Sequence, residues 1–146
     1  MAGRAGDELR ALSVRARGVQ LGRVVEILLD RSVRRAVGFE VRCRDATHRF
    51  LPLPAATIGA EEIAIRSPLV LLEGDELGFY RSHAVALSAL RGVPVVVGGS
   101  PAGKLVDVVV AGGGELLEVV VETGHGVEHV PFEDSVSLVP VSRTAA

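Results

Sequence analysis

Residues 22–30 read GRVVEILLD and residues 103–111 read GKLVDVVVA, so one pattern of glycine, base, apolar pair, acid and apolar run is written twice, 81 positions apart. The likeness extends along the chain. At a shift of 81, Gly18 falls on Gly99, Arg23 on Lys104 and Glu26 on Asp107. At 80, residues 37–41 fall on 117–121, and at 79 "FLPLPAAT" (50–57) falls on "HVPFEDSV" (129–136), with Pro52 on Pro131. The shift shrinks only where turns are expected, because loops absorb deletions and strands do not.

Each copy is rich in Val and broken by Gly turns about every 8–12 residues, which predicts β-structure. The first copy predicts strands at 12–16, 22–30, 35–43, 47–52 and 61–66; the second at 92–97, 103–111, 115–123, 126–132 and 135–140. Both alternating faces of 24–29 and 105–110 are apolar, as in a strand covered on both sides. Between the copies, residues 75–90 predict a helix capped by Asp75, sharing Leu77, Tyr80, Ala84 and Leu87 on one face and ended by Gly92, although Gly78 weakens it. The expected layout is a first unit at 8–73, a helical linker at 74–90 and a second unit at 91–142. With only 3% aromatic residues and no Trp, the core must be Val, Leu, Ile and Ala. No apolar run approaches the roughly 20 residues of a membrane span, and the start, MAGRAGDELR, has no apolar leader region. Cys43 has no second cysteine to pair with, which favours a cytoplasmic setting.

The stretches Gly18-Val19-Gln20-Leu21-Gly22-Arg23-Val24-Val25-Glu26 and Gly99-Ser100-Pro101-Ala102-Gly103-Lys104-Leu105-Val106-Asp107 resemble the signature of the PRC-barrel family. The later steps Leu51-Pro52 and Val130-Pro131, the second followed by Phe132-Glu133-Asp134, fit it too. The second copy matches better; the first has Glu26 where the family usually has Asp. The resemblance implies a mainly β fold of two tandem small PRC-type barrels. It also implies docking onto a protein partner rather than catalysis, as in the reaction-centre H subunit and the C-terminal domain of the ribosome maturation factor RimM. A role in ribosome assembly or RNA metabolism is the alternative, weakened because no counterpart of RimM's N-terminal domain is present.

Several features mimic chemistry. "GGSPAGKL" (98–105) matches a phosphate-cradling loop up to its last position, where Leu105 replaces the Mg²⁺-binding hydroxyl, and it feeds a strand rather than a helix. We read a β-turn. His125 and His129 in "HGVEH" lie at a hairpin tip, with Glu122 and Glu128 nearby, and suit adventitious metal binding at most. His48 and His83 read as surface or boundary residues, and Cys43 as a small packed one. Glu26 and Asp107 repeat at one strand position and read as structural acceptors for backbone donors. No catalytic, cofactor or metal residue is assigned, and the chain reads as a non-enzyme needing no cofactor.

Charge separates the copies. Residues 1–50 hold 11 Arg against 6 acids, and residues 51–146 hold 5 bases against 12 acids, balances of +5 and −7 that sum to −2. Arg35 falls on Glu115, Arg42 on Glu122 and Arg49 on Glu128, so matching positions carry opposite signs. These six residues form the expected interaction surface, for a protein partner or a second copy of the chain. Nucleic-acid binding through Arg31, Arg34, Arg35, Arg42, Arg44 and Arg49 is disfavoured outside a ribosomal complex, given the acidic second copy, the near absence of Lys and no aromatic platform.

Overall fold

The Val-rich runs form strands close to the predicted bounds. The computed structural model describes residues 3–10 and 12–138. The first copy supplies β1 (Gly3–Ala5), α1 (Gly6–Arg10), β2 (Ser13–Ala16), β3 (Val19–Leu29), β4 (Ala36–Cys43), β5 (His48–Pro52), β6 (Ala56–Ile58) and β7 (Glu62–Ile65). Then follow α2 (Asp75–His83), β8 (Val85–Ala86), α3 (Leu87–Leu90), β9 (Pro94–Val97), β10 (Ser100–Ala111), β11 (Leu116–Thr123), β12 (Gly126–Pro131) and β13 (Val136–Leu138). The predicted ends of the last strand at 140 and of the second unit at 142 lie outside the described residues. The strands make two curled sheets, ordered β5-β4-β3-β2-β7-β6 and β12-β11-β10-β9-β13.

Strand register verifies the internal repeat residue by residue. Val24 lies opposite Val41, and Leu105 opposite Val121; Phe39 lies opposite Leu51, and Val119 opposite Val130. The shifts of 81, 80 and 79 therefore belong to β3/β10, β4/β11 and β5/β12. Both central strands bulge at the same place, with the register skipping Val25 and Val106. Gly22 and Gly103 recur for a steric reason: a Cβ there would meet the carbonyl oxygens of Arg42 and Glu122 on the neighbouring strand.

Three features depart from expectation. The helix predicted over 75–90 is divided. Ala84 is extended (φ −119°, ψ 173°), Val85 and Ala86 pair with Leu29 and Leu28, and only then does α3 begin. Ladder pairing of an otherwise weak helix former wins over local propensity. The last strands also differ: β7 runs parallel to β2, whereas β13 runs antiparallel to β9. After β5 the chain takes a 3₁₀ turn (Leu53–Ala55) and a β6–β7 hairpin, whereas a short turn leads from β12 into β13. Finally, one contiguous apolar cluster joins Ile27, Phe39 and Leu51 to Leu105, Val119 and Val121, with Leu9, Leu87 and Leu90 between. The two sheets share an interior.

The short segments leading into each sheet are exchanged. β1 pairs with β10, Arg4 opposite Val110, and β8 pairs with β3, Val85 opposite Leu29. The same 81-residue shift relates the two pairings. Each helix that follows is held by the acid of the other copy. The Asp7 amide donates to Asp107 Oδ2 (3.1 Å), while the Ser88 amide and hydroxyl donate to Glu26. Asp107 is buried and also accepts from the Val108 amide (2.8 Å). Each acid follows a bulge, which re-aims it towards its helix. The repeated acids thus act as the backbone acceptors expected of them. The two copies meet where Arg35 bridges Glu115; the Ala36 amide donates to Gly114 O and the Leu116 amide to Arg34 O, a near-twofold relation within one chain.

Asp107→Ala strips two backbone donors of their partner and is expected to cost about 1–3 kcal/mol. Gly78→Ala, exposed in α2 with open space around its Cα, is expected to gain about 0.5–1 kcal/mol. Denaturant unfolding of both variants checks the pair.

Candidate docking face on the second repeat

The shared register makes the outer faces of the two sheets directly comparable, and they are finished differently. On the first, α2 lies across β5. Leu77 packs with Leu28 and Phe50, and the Phe50 and Tyr80 rings stack at 3.9 Å. Beside them Glu40 is buried and takes both ends of the Arg81 guanidinium, Nε donating to Oε1 (3.1 Å) and Nη2 to Oε2 (2.6 Å). His48 Nδ1 meets the same Oε2 at 2.5 Å. The Arg81 hydrogen bond holds the Glu40 carboxyl below its ordinary range, against the opposing effect of burial and with help from His48. The open edge of β5 is closed as well. Phe50 exchanges two backbone bonds with Leu72, at 2.7 and 2.8 Å.

On the second sheet the same places hold other residues. Val120 stands for Glu40, Val127 for His48 and His129 for Phe50. Here Val127 is 60% exposed, and Glu128, His129 and Pro131 are exposed; Val130 is half-buried and packs into the core. His129 Nδ1 lies 2.8 Å from Glu118 Oε1. β12 ends its sheet, and among the described residues no strand or bridge lies along its outer edge. This face went unrecognised in the sequence because the sealing contacts of its counterpart are non-local. Glu40 and Arg81 are 41 residues apart, with no spacing rule to link them.

The six charged positions expected to form an interaction surface are not gathered in one place. Arg35 and Glu115 meet at the junction, where Arg35 Nη2 donates to Gly113 O (2.6 Å). Nearby Arg34 pairs with Asp134 (3.6 Å) and lies over the Phe132 ring. Arg42 is exposed opposite Arg23 on β3, and Glu122 is exposed opposite Lys104 and Val127. Arg49 is half-buried and turns back to Asp45 (3.6 Å) and Glu73 (4.0 Å). Glu128 is exposed on β12. A cleft of about 610 Å³ opens beside the junction between Arg35, Val37, Leu53, Pro54 and Tyr80.

The features that mimic chemistry are placed as follows. Gly98 and Gly99, both at positive φ, form the β9–β10 turn, and residues 100–105 already belong to strand β10. No group of three His, Cys, Asp or Glu positioned to hold a metal ion occurs among the described residues. Cys43 is half-buried, and burial pushes its thiol pKa up. His83 stacks on Phe79, its Nδ1 2.8 Å from the Phe79 carbonyl oxygen. Compared with protein-family models and with curated proteins, the chain matches none of either.

The Glu40 contacts carry a pH signature. Its folded pKa lies below the unfolded value, so its stabilisation is fully present above the unfolded pKa near 4.5 and disappears as pH falls through the folded pKa. Melting temperature plotted from neutral to strongly acid pH is expected to fall less steeply for Glu40→Gln than for wild type below pH about 4.5. Arg81→Met, which leaves the Glu40 carboxylate with only His48 beside it, is expected to destabilise by about 1–2 kcal/mol at neutral pH and by less in acid.

Proposed function

We propose that this chain is a non-enzymatic docking protein built from two PRC-type barrels, working in the cytoplasm and binding a protein partner through the outer face of its second repeat. One observation carries the reading. The two equivalent faces differ in that one is sealed by the chain's own Tyr80, Arg81 and Leu72 and the other presents Val127, His129 and Pro131 to solvent. A sheet edge left open is normally blunted, covered or paired, so a bare edge beside a covered equivalent marks a place for another molecule. The repeated acids support a non-catalytic reading, because Glu26 and Asp107 are engaged in capping the exchanged helices. The PRC-barrel resemblance supports the docking class.

The charge pattern contributes orientation in this reading. Exposed charges of one sign steer an oppositely charged partner, and each exposed pair formed adds only about 0.2–1 kcal/mol, weakened by salt. The test is capture from native host lysate by wild type, by Val127→Asp and by Arg42→Glu, each checked for an unchanged melt. The same partner is expected with wild type and Arg42→Glu and is lost with Val127→Asp, while rising salt slows its association. Equal capture by Val127→Asp and wild type overturns the choice of face.

A further inference from the structure

Resting on that docking reading, we propose that the outer edge of β12 takes up an extended, basic segment of a partner protein as an additional antiparallel strand. The first repeat provides the template within the same molecule. There Phe50 turns its N–H and C=O away from β4, and both are satisfied by Leu72, lying antiparallel alongside. His129 occupies the Phe50 position, and Val127 lies two residues earlier on the same side of the ladder. By the alternation of an antiparallel pair, the backbone groups of Val127 and His129 point away from β11. They have no backbone partner there among the described residues. Both residues are exposed, so an incoming strand would displace water rather than protein.

Charge selects among the possible occupants. Residues 115–134 carry Glu115, Glu118, Glu122, Glu128, Glu133 and Asp134, and neither Lys nor Arg. Glu118 and Glu122 lie on β11 and Glu128 on β12 itself. A second copy pairing edge to edge would bring Glu128 and its neighbours against their own kind, which is unfavourable. A segment alternating apolar residues with Lys or Arg sets its apolar side chains on the face of Val127 and its cations on the opposite face, beside Glu128. Main-chain bonds then give affinity, and the side chains give the preference for a basic sequence.

The probe is an acetylated, amidated heptapeptide of alternating Val and Lys, set against its Val–Glu counterpart and a version N-methylated on alternate amides. Binding is read by peptide fluorescence anisotropy, and amide exchange at Val127 and His129 by NMR. The Val–Lys peptide is expected to slow exchange at both amides and to bind roughly tenfold or more tighter than the Val–Glu peptide. His129→Ala keeps that affinity. His129→Pro removes an outward N–H without touching the β11 ladder and is expected to lose it, as is the N-methylated peptide with wild-type protein. That last arm does not depend on any variant folding. Equal binding of the two peptides, or undiminished binding by the N-methylated one, overturns strand addition. So does a dimer in sedimentation that His129→Pro abolishes, or peptide binding that appears only after removal of residues 139–146. If Val127→Asp abolishes partner capture while His129→Pro leaves it intact, the docking face stands and strand addition falls.

Discussion

The reciprocal hold between an acid on each central strand and the first turn of the other copy's leading helix sets the rest of this structure. Asp107 binds the Asp7 amide and Glu26 binds Ser88, while β1 and β8 each complete the opposite sheet. Arg91 reinforces one side. Its guanidinium donates to Val106 O and lies 2.8 Å from Asp7 Oδ1. Helix α1 has five residues and α3 has four, and helices so short are marginal by themselves. They persist because Leu9, Leu87 and Leu90 are buried in the shared core and because an acid satisfies an amide left open at the helix start. Interleaving of this kind makes each copy part of the other's packing, so a chain with few aromatic side chains builds one interior rather than two small ones.

The near-twofold relation gives the surface its meaning. Where both copies need the same geometry, at the bulges, at Gly22 and Gly103 and at the acids, the sequence repeats itself. Where the copies meet solvent, it diverges. The first face carries an aromatic stack, a buried Glu40 held by a half-exposed Arg81, and a bridging Leu72, none of which has a counterpart on β12. A partly exposed ion pair adds little net stability, but its two hydrogen bonds tie α2 to β4. The contrast separates a face covered by the chain's own α2 and Leu72 from one exposed to solvent.

Much of the fold was legible from Val periodicity and from the repeat itself. The shrinking shift places Arg35 on Glu115, and these two residues form a β-bridge at the junction. What stayed hidden was non-local. β1 and β8 have three and two residues, too short for any alternation to register, so their exchange left no mark in the sequence. The helix predicted through Ala84 failed because Val85 and Ala86 are claimed by Leu29 and Leu28, 56 and 58 positions earlier. Of the six charged residues, the sequence identified equivalent positions but could not tell that Arg49 turns back to Asp45 and Glu73 or that Arg42 faces Arg23. The open face itself was invisible, because it is defined by what its counterpart carries.

Exchange between the copies is tested most directly by cutting the chain between them. Residues 1–73 retain β1 but lack β8, and residues 74–146 retain β8 but lack β1, so each half lacks a strand of its own sheet. Far-ultraviolet circular dichroism is followed with temperature for each half and for their equimolar mixture. Neither half is expected to melt cooperatively, and the mixture is expected to regain one transition near that of the intact chain. Two halves that each melt cooperatively, with a mixture that merely sums them, would contradict the account and establish two independent units.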